Sequence, residues 1–256
     1  LNVGMQGVGV SERSFQQALE YANERIQGKD YNSNIDNNER TRIINHPDVR
    51  RMLLEMKSLT DATRALCYDN AIAIDLGKSH PDDDIRRKYK LKADLLTPIS
   101  KSWSTDIGVL VSSIGVQVHG GIGFIEETGA AQHLRDARIA PIYEGTNGIQ
   151  AIDLLTRKIA LNNGEAIQNF LQEISATKDN CLRSNNNNLI KIGQNLSDSL
   201  DDVKITTDQI LEWLKNKDKK FEVLQNAAFY LELLGILAGG HYLAKGALNN
   251  LKSDSG

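Results

Sequence analysis

Residues 82–114 read DDDIRRKYKLKADLLTPISKSWSTDIGVLVSSI, and the fold can be predicted from this stretch outward. Its apolar side chains recur at spacings of three and four residues, which is typical of one face of an α-helix. The aspartates at 82–84 follow Pro81 and indicate the helix start, because acidic groups are favourable near the positive end of the helix dipole. Pro98 predicts a kink or a division, because proline removes a backbone donor. The apolar face consists of Ile85, Tyr89, Leu95, Leu96, Ile99, Trp103, Ile107, Leu110 and Ile114.

Further helices are predicted upstream and downstream of this one. Pro47 and Asp48 indicate a second helix start, and Gly77 indicates where that helix ends. Ser11 is the predicted N-cap of an earlier helix, since its hydroxyl can accept from the first backbone N–H groups. A shorter helix is predicted near 146–161. Three long helices and a shorter one favour an all-α fold, an up-and-down four-helix bundle without strands.

The remainder of the chain predicts an additional helical extension. Asn162-Asn163-Gly164 is a polar break, so we expect a bundle domain over 1–161 and an extension over 162–256. Four consecutive asparagines at 185–188 form a second polar break, ahead of or at the start of another helix, and two amphipathic series follow it. The asparagine-rich segment 30–38 is predicted to be a loop.

Composition and charge indicate which classes of partner and site are not expected for this chain. The chain has 256 residues and a net charge of −3, which provides no electrostatic footprint for nucleic acid. No metal site is expected, because the five histidines show no ligand spacing and the two cysteines form no motif. Cys67 and Cys181 are predicted to be reduced thiols in a cytoplasmic protein. No apolar run approaches 18 residues, so no membrane span is expected. With neither a signal peptide nor an initiator Met, the chain is expected to be part of a longer protein.

The candidate for chemistry lies in residues 141–150, which read PIYEGTNGIQ. Glu144 stands between an apolar pair and a Gly-Thr-Asn-Gly turn. An apolar wall raises the pKa of a carboxylate, and a carboxylate tuned in this way can take a proton from a weak carbon acid near neutral pH. Glycine lets a ligand approach the backbone closely. The alternative is that Glu144 caps the helix that starts near Thr146.

Two upstream segments strengthen the catalytic interpretation. Residues 117–123 read QVHGGIG and residues 135–138 read RDAR. In this order and spacing, the three segments resemble the C-terminal domain of the acyl-CoA dehydrogenases. The resemblance covers roughly residues 1–160, and YANERIQG at 21–28 and NHPDV at 45–49 fit a larger subfamily that has a C-terminal extension. It implies that an N-terminal helical domain and a middle β-domain are missing from this chain.

The resemblance implies FAD-dependent dehydrogenation of an acyl-CoA thioester to a trans-2-enoyl-CoA, as in fatty acid β-oxidation. Glu144 matches the base that removes the α-proton, while the β-hydrogen leaves as hydride to the flavin N5. The backbone N–H of the same glutamate helps to stabilise the developing enolate. An electron-transfer flavoprotein is the implied electron acceptor, and a homodimer or homotetramer is the implied assembly.

The resemblance also assigns binding residues individually. Gln117, Gly120 and Gly121 match a segment that contacts the adenosine and pyrophosphate of FAD, often that of a neighbouring subunit; the alternative is a glycine turn. Arg25 matches an arginine at the flavin pyrophosphate, where its planar fork suits phosphate oxygens; the alternative is a solvated cation in the last helical turn. The remaining matches are Thr146 and Asn147 beside the flavin, with helix capping as the alternative, and Arg25 and Gly145 as substrate contacts.

Other residues are predicted to be structural. His119 is expected to pack or to form a hydrogen bond, and Asp136 is expected to form an ion pair with the flanking Arg135 and Arg138. Gly239-Gly240 predicts close helix packing, since the pair lacks the context of a phosphate loop. Two other functions stay open at this point, namely an acyl-CoA oxidase that uses oxygen as acceptor and a non-catalytic helical interaction domain.

Overall fold

The computed structural model describes residues 1–29 and 40–253 and is almost entirely helical. The helices are α1 (Asn2–Glu24), α2 (Pro47–Ser79), α3 (Asp83–His119), α4 (Gly121–Phe124), α5 (Ala130–Ala137), α6 (Asn147–Asp153), α7 (Glu165–Leu182), α8 (Asn187–Leu214), α9 (Lys220–Gln225) and α10 (Ala227–Ser253). A π-helical stretch, Leu154–Ile159, continues α6, and short 3-10 turns occupy Ile43–Asn45, Glu126–Thr128 and Leu161–Gly164. The predicted all-α class is confirmed.

One small hairpin departs from the prediction that the chain has no strands. Strand β1 (Ile26–Lys29) pairs antiparallel with β2 (Arg40–Arg42), with Ile26 opposite Arg42. Most of its residues are exposed, so it lacks the apolar alternation by which a half-buried strand is predicted. The predicted loop at 30–38 lies outside the described residues.

The chain divides into two compact units. The N-terminal unit consists of the described residues within 2–61 and residues 104–143. The C-terminal unit consists of Leu1, residues 62–103 and the described residues from 144 onward. Helices α2 and α3 are each divided, with one part in the N-terminal unit and the other part in the C-terminal unit. The domain boundary at 161/162 stays a prediction.

Ser11 is not a helix cap, because α1 begins nine residues before it. α1 begins at Asn2, so Ser11 lies inside it, fully buried, and its hydroxyl donates to the Gly7 carbonyl (2.8 Å). A Cβ on Gly7 would overlap the Ser104 carbonyl of α3. The two helices therefore approach closely at Gly7, and the serine hydroxyl is satisfied within its own helix.

Helices α2 and α3 are longer than predicted. α2 continues past Gly77 to Ser79, and a Cβ on Gly77 would lie 2.9 Å from the Lys90 backbone nitrogen of α3. Gly77 thus permits a close helix contact and does not end its helix. α3 continues through Pro98, so the predicted division does not occur. α3 begins at Asp83, within the predicted acidic triplet, and Asp82 caps it. The Asp82 carboxylate accepts hydrogen bonds from the Ile85 and Asp84 N–H groups, and these bonds lower its pKa.

In the C-terminal unit, α10 packs against Trp103 of α3. A Cβ on Gly235 or on Gly239 would overlap the indole ring, whereas a Cβ on Gly240 would meet only Leu196, at 3.9 Å. The predicted packing role is thus confirmed for Gly239 alone of the pair. Among the described helices, α10 is long and apolar enough to span a membrane by length and composition, but 61% of its most apolar window is buried in the protein, as in a core helix.

A cluster of charged groups also lies inside the C-terminal unit. Lys92 of α3 reaches Asp69 of α2 and Glu173 of α7, with both N–O distances 2.7 Å. Burial lowers the pKa of Lys92, but its two carboxylate partners outweigh that effect and raise it. Burial alone would raise the pKa of Glu173. The neighbouring His241 and Lys92 outweigh this effect and hold the pKa of Glu173 well below its usual range. The Tyr242 hydroxyl donates to Asp69 (2.6 Å), so α10 joins the same cluster.

Candidate functional site

Glu144 occupies an unusual backbone conformation. Its φ is 54° and that of Gly145 is 84°, so two consecutive residues lie in the left-handed region. For a residue with a Cβ this conformation costs about 1–2 kcal/mol and has to be held by its surroundings. The strain therefore marks a turn whose shape is imposed on the glutamate.

The Glu144 side chain is exposed and has no hydrogen bond or ion pair within the described part of the chain. Its backbone N–H likewise has no acceptor there. The neighbouring Ile142 is 51% exposed, so the predicted apolar wall around the carboxylate is not present in the described residues. Both a proton acceptor and a hydrogen-bond donor thus remain available on one strained residue.

Thr146 performs the capping role that was its alternative assignment. Its side-chain oxygen accepts from the Ile149 N–H (3.3 Å), and α6 begins directly afterwards at Asn147. The cap of α6 is therefore Thr146 and not Glu144, which leaves the carboxylate of Glu144 without that structural function.

Asn147 is held by two consecutive residues of α3. The Lys101 ammonium donates to Asn147 Oδ1 (2.7 Å), and Asn147 Nδ2 donates to the Ser102 carbonyl (3.1 Å). Lys101 is only 4% exposed. Sequence reasoning missed Lys101, since a lysine on a long helix is usually solvated and only its small neighbours in Ser100-Lys101-Ser102 indicate a buried position.

The predicted FAD segment forms a turn at the end of α3. Gly120 has φ 64° and ψ −144°, a conformation that essentially only glycine adopts. A Cβ on Gly120 or Gly121 would meet no atom within 4 Å, so both backbones face open space. Gln117 is exposed in the last turn of α3, and its carbonyl accepts from the Gly120 N–H (3.0 Å). The turn can therefore receive a bulky group such as a pyrophosphate against its backbone.

Arg25 follows the last residue of α1 and starts the hairpin. Its carbonyl accepts from the Ile43 N–H (2.8 Å), and its exposed guanidinium donates to Gln27 (3.3 Å). Arg25, Gln117, Gly120 and Gly121 thus belong to the N-terminal unit. The candidates Glu144, Gly145, Thr146 and Asn147 belong to the C-terminal unit.

His119 is a packing residue, as predicted. It is buried, its Nδ1 lies 2.7 Å from the Gly115 carbonyl, and its ring stacks on Tyr21 with the centroids 4.6 Å apart. These contacts fix the end of α3 immediately before the Gly120 turn.

The predicted ion pair of Asp136 is wrong. Asp136 accepts from the Gln132 amide (2.6 Å), whereas Arg135 pairs with Glu126 (3.4 Å). On a helix the neighbour of Asp136 is the residue four positions earlier, and adjacent residues do not face each other.

No cluster of three or more metal-ligating side chains occurs within residues 1–29 and 40–253. Cys67 and Cys181 are buried and form no disulfide. Burial raises the pKa of the Cys181 thiol.

The family model described as "Acyl-CoA dehydrogenase, C-terminal domain" matches residues 1–159. The chain belongs to the acyl-CoA dehydrogenase family. A second model, "Acetyl-CoA dehydrogenase C-terminal like", matches residues 166–255.

The curated relatives of this chain include two named dehydrogenases. A 3-methylmercaptopropionyl-CoA dehydrogenase of Ruegeria pomeroyi is 47% identical over 176 residues, which cover 69% of this chain and 29% of the relative. A butyryl-CoA dehydrogenase of Syntrophomonas wolfei is 36% identical over 174 residues, which cover 68% of this chain and 28% of the relative. The chain thus spans under a third of the length of these relatives.

A solved structure shows the same fold over nearly the whole chain. Caenorhabditis elegans ACDH-11, solved in complex with C11-CoA, superposes with a TM-score of 0.75 at 18% identity. The match covers 96% of this chain and 39% of that one. At this identity the likeness concerns the fold, which includes the helices beyond residue 161.

Proposed function

We propose that this chain is the C-terminal part of an FAD-dependent acyl-CoA dehydrogenase, which converts an acyl-CoA thioester to a trans-2-enoyl-CoA. The observation that carries the proposal is the strained Glu144, whose carboxylate and N–H are both without partners among the described residues. The family membership and the 47% identity to a named dehydrogenase support it.

In this proposal Glu144 removes the α-proton of the thioester. Abstraction from a weak carbon acid needs a base in a dry site and a donor for the developing enolate oxygen. The carboxylate supplies the base, and the N–H of the same residue supplies one donor. Because the turn is exposed in this chain, the bound acyl group and the remainder of the enzyme would have to exclude water from it.

FAD, when bound, accepts the β-hydrogen of the substrate as hydride. The residues proposed to hold it are Arg25, Gln117, Gly120 and Gly121, with Thr146 and Asn147 beside the ring system. The open backbone at Gly120 and Gly121 fits a pyrophosphate, since no side chain blocks that approach. The exposed Arg25 guanidinium is suited to phosphate oxygens.

The partners follow from the same proposal. The substrate is an acyl-CoA, contacted by Arg25 and Gly145, and the electron acceptor is an electron-transfer flavoprotein. The enzyme would act as a homodimer or homotetramer in the cytoplasm.

The test uses the full-length gene product, with Glu144→Gln and the matched control Glu232→Gln, which changes an exposed glutamate of α10. Butyryl-CoA and 3-methylmercaptopropionyl-CoA are offered under anaerobic conditions, and bleaching of the flavin absorption is followed. We expect E144Q to retain flavin and to bleach 10²–10⁴-fold more slowly, because a general base contributes about this factor. E232Q should match wild type.

Two results would overturn the proposal. One is a protein that binds no flavin and leaves both thioesters unchanged, which would favour a non-catalytic helical domain. The other is bleaching by E144Q at the wild-type rate. A parallel oxygen electrode separates an oxidase from a dehydrogenase, since only an oxidase would consume oxygen at the turnover rate.

A further inference from the structure

Lys101 is among the most buried charged residues of the chain, and it contacts a residue close to Glu144. Its ammonium donates to Asn147 Oδ1 at 2.7 Å, and the carbonyl of the next residue, Ser102, accepts from Asn147 Nδ2 at 3.1 Å. An ammonium can only donate and a carbonyl can only accept, so the orientation of the Asn147 amide is fixed by its two partners. The three residues form a clamp, hereafter the Lys101 clamp, that ties the start of α6 to α3.

Asn147, the α6 residue of the Lys101 clamp, lies three residues after Glu144. Between them are Gly145, with a φ of 84°, and Thr146, which caps α6. Gly145 and Thr146 belong to no helix or strand, so the left-handed turn is anchored on this side by Asn147. A left-handed non-glycine residue persists only where its surroundings impose it, and the Lys101 clamp is such a constraint.

We infer that Lys101 is a positioning residue for Glu144, acting through Asn147 and the start of α6. This inference rests on the proposed function of Glu144. At 4% exposure Lys101 is shielded from a ligand that arrives from solvent, which argues against direct contact with substrate. Its effect on turnover would come from the placement of the Glu144 carboxylate and N–H, and a misplacement of about 1 Å can cost 10²-fold in rate.

The test compares Lys101→Met with the control Lys158→Met in the full-length gene product. Lys158 is also a largely buried lysine that contacts α3, through Asp94 at 3.5 Å, but it lies 14 residues from Glu144 in sequence. We expect K101M to lower kcat by 10- to 100-fold with KM and flavin content within threefold of wild type. K158M should keep kcat within twofold.

A second readout does not depend on activity. Amide hydrogen exchange in the peptide 143–150 should be faster in K101M than in wild type, and unchanged in K158M. Lys101→Gln, which keeps a polar group beside the Asn147 amide, serves if K101M fails to fold, and the same direction is expected. In the double variant with Asn147→Leu, the loss in kcat should be smaller than the sum of the two single losses, because both changes remove the hydrogen bond between Lys101 and Asn147.

The outcomes separate the two proposals. A K101M enzyme with wild-type kcat and exchange overturns the positioning role, as does an equal loss in K158M. Additive losses in the double variant overturn it too. If exchange rises in K101M but wild type neither binds flavin nor turns over acyl-CoA, the clamp is supported as a structural contact and both functional proposals fail.

Discussion

Lys92 and Lys101 lie nine residues apart on α3 and contact different kinds of group. Lys92 lies between the carboxylates of Asp69 and Glu173, each at 2.7 Å, where four helices of the C-terminal unit meet. Lys101 donates to the neutral amide of Asn147, also at 2.7 Å, next to the turn that carries Glu144. The 2.7 Å distance and the helix are shared, whereas the carboxylates at Lys92 and the amide at Lys101 differ in charge.

Because their partners differ, we expect Lys92 to affect the stability of the protein and Lys101 to affect the position of Glu144. A largely buried ammonium between two carboxylates neutralises charges that would otherwise be costly to desolvate. The hydrogen bond from Lys101 joins an ammonium to a neutral amide, and it helps to fix which way that amide points. We therefore expect changes at Lys92 to appear in unfolding and changes at Lys101 to appear in turnover.

The largest expected effect on stability is that of Lys92→Met. It leaves Asp69 and Glu173 without their shared cation. Loss of one partner of a buried pair costs about 3–5 kcal/mol, and the partial exposure of these groups reduces that to roughly 2–3 kcal/mol. For a chain of this size, the midpoint of thermal unfolding should fall by roughly 5–10 °C. Circular dichroism during heating measures it.

Lys158→Met is the control for Lys92→Met. Its partner Asp94 is 41% exposed at 3.5 Å, so the loss should stay below about 1 kcal/mol. Below its unfolding midpoint, K92M should retain the kcat of wild type. Two results would contradict the proposed difference between Lys92 and Lys101. One is a K92M variant as stable as K158M, and the other is a folded K92M variant with a lower kcat than wild type.

The helices could be predicted from local sequence, whereas their contacts could not. The spacing of apolar residues predicts α2 and α3, and the asparagine break before α8 is confirmed by Asn186, whose side chain caps that helix. Ser11 and Gly77 carry local signals for a helix start and a helix end. Gly77 instead permits a close contact with α3, and Ser11 lies inside α1, where its hydroxyl donates to the Gly7 carbonyl.

The candidate site shows the same limit. The motif order predicts Glu144 and Gly120 as site residues, and the structure adds that both have a positive φ. The motif order could not predict Lys101, because its partner Asn147 lies 46 positions away and a lone lysine carries no motif. Long-range hydrogen bonds of this kind depend on how helices pack, which periodicity does not specify.

A smaller effect is expected at the adjacent glycines of α10. Gly239→Ala places a Cβ into the Trp103 ring, and overpacking of this kind costs about 1–3 kcal/mol. The better helix propensity of alanine offsets up to about 1 kcal/mol of that cost. Gly240→Ala meets only Leu196 at 3.9 Å and should stabilise by about 0.5–1 kcal/mol.

Guanidinium chloride unfolding followed by tryptophan fluorescence distinguishes the two glycine variants. We expect opposite shifts of the midpoint, downward for G239A and upward for G240A. Equal shifts would mean that α10 does not pack on Trp103 through Gly239. Neither change touches the Lys101 clamp, so hydrogen exchange at 143–150 should stay as in wild type.

Two helix caps are each expected to contribute about 1 kcal/mol or less, and they extend the comparison of placement with stability to uncharged groups. Thr146 caps α6 beside Glu144, and Asn186 caps α8 in the extension, accepting from Asn188 (2.9 Å) and Leu189 (3.3 Å). Asn186→Ala should destabilise the protein by about 1 kcal/mol, because a lost cap leaves helix N–H groups unsatisfied. It should leave kcat unchanged.

Thr146→Ala removes a cap from a short helix at an exposed turn, so the global stability should fall by less than about 1 kcal/mol. The expected signature is instead a 3- to 10-fold lower kcat with faster exchange at 143–150, since the residue next to Gly145 loses its fixed geometry. Thr146→Ser keeps the hydroxyl and should restore both values. If T146S were as slow as T146A, the methyl group of Thr146 would matter more than its cap, and the turn would be held by packing. If N186A slowed turnover as much as T146A, general loosening of the C-terminal unit would explain both, and the placement of Glu144 would not depend on the start of α6 in particular.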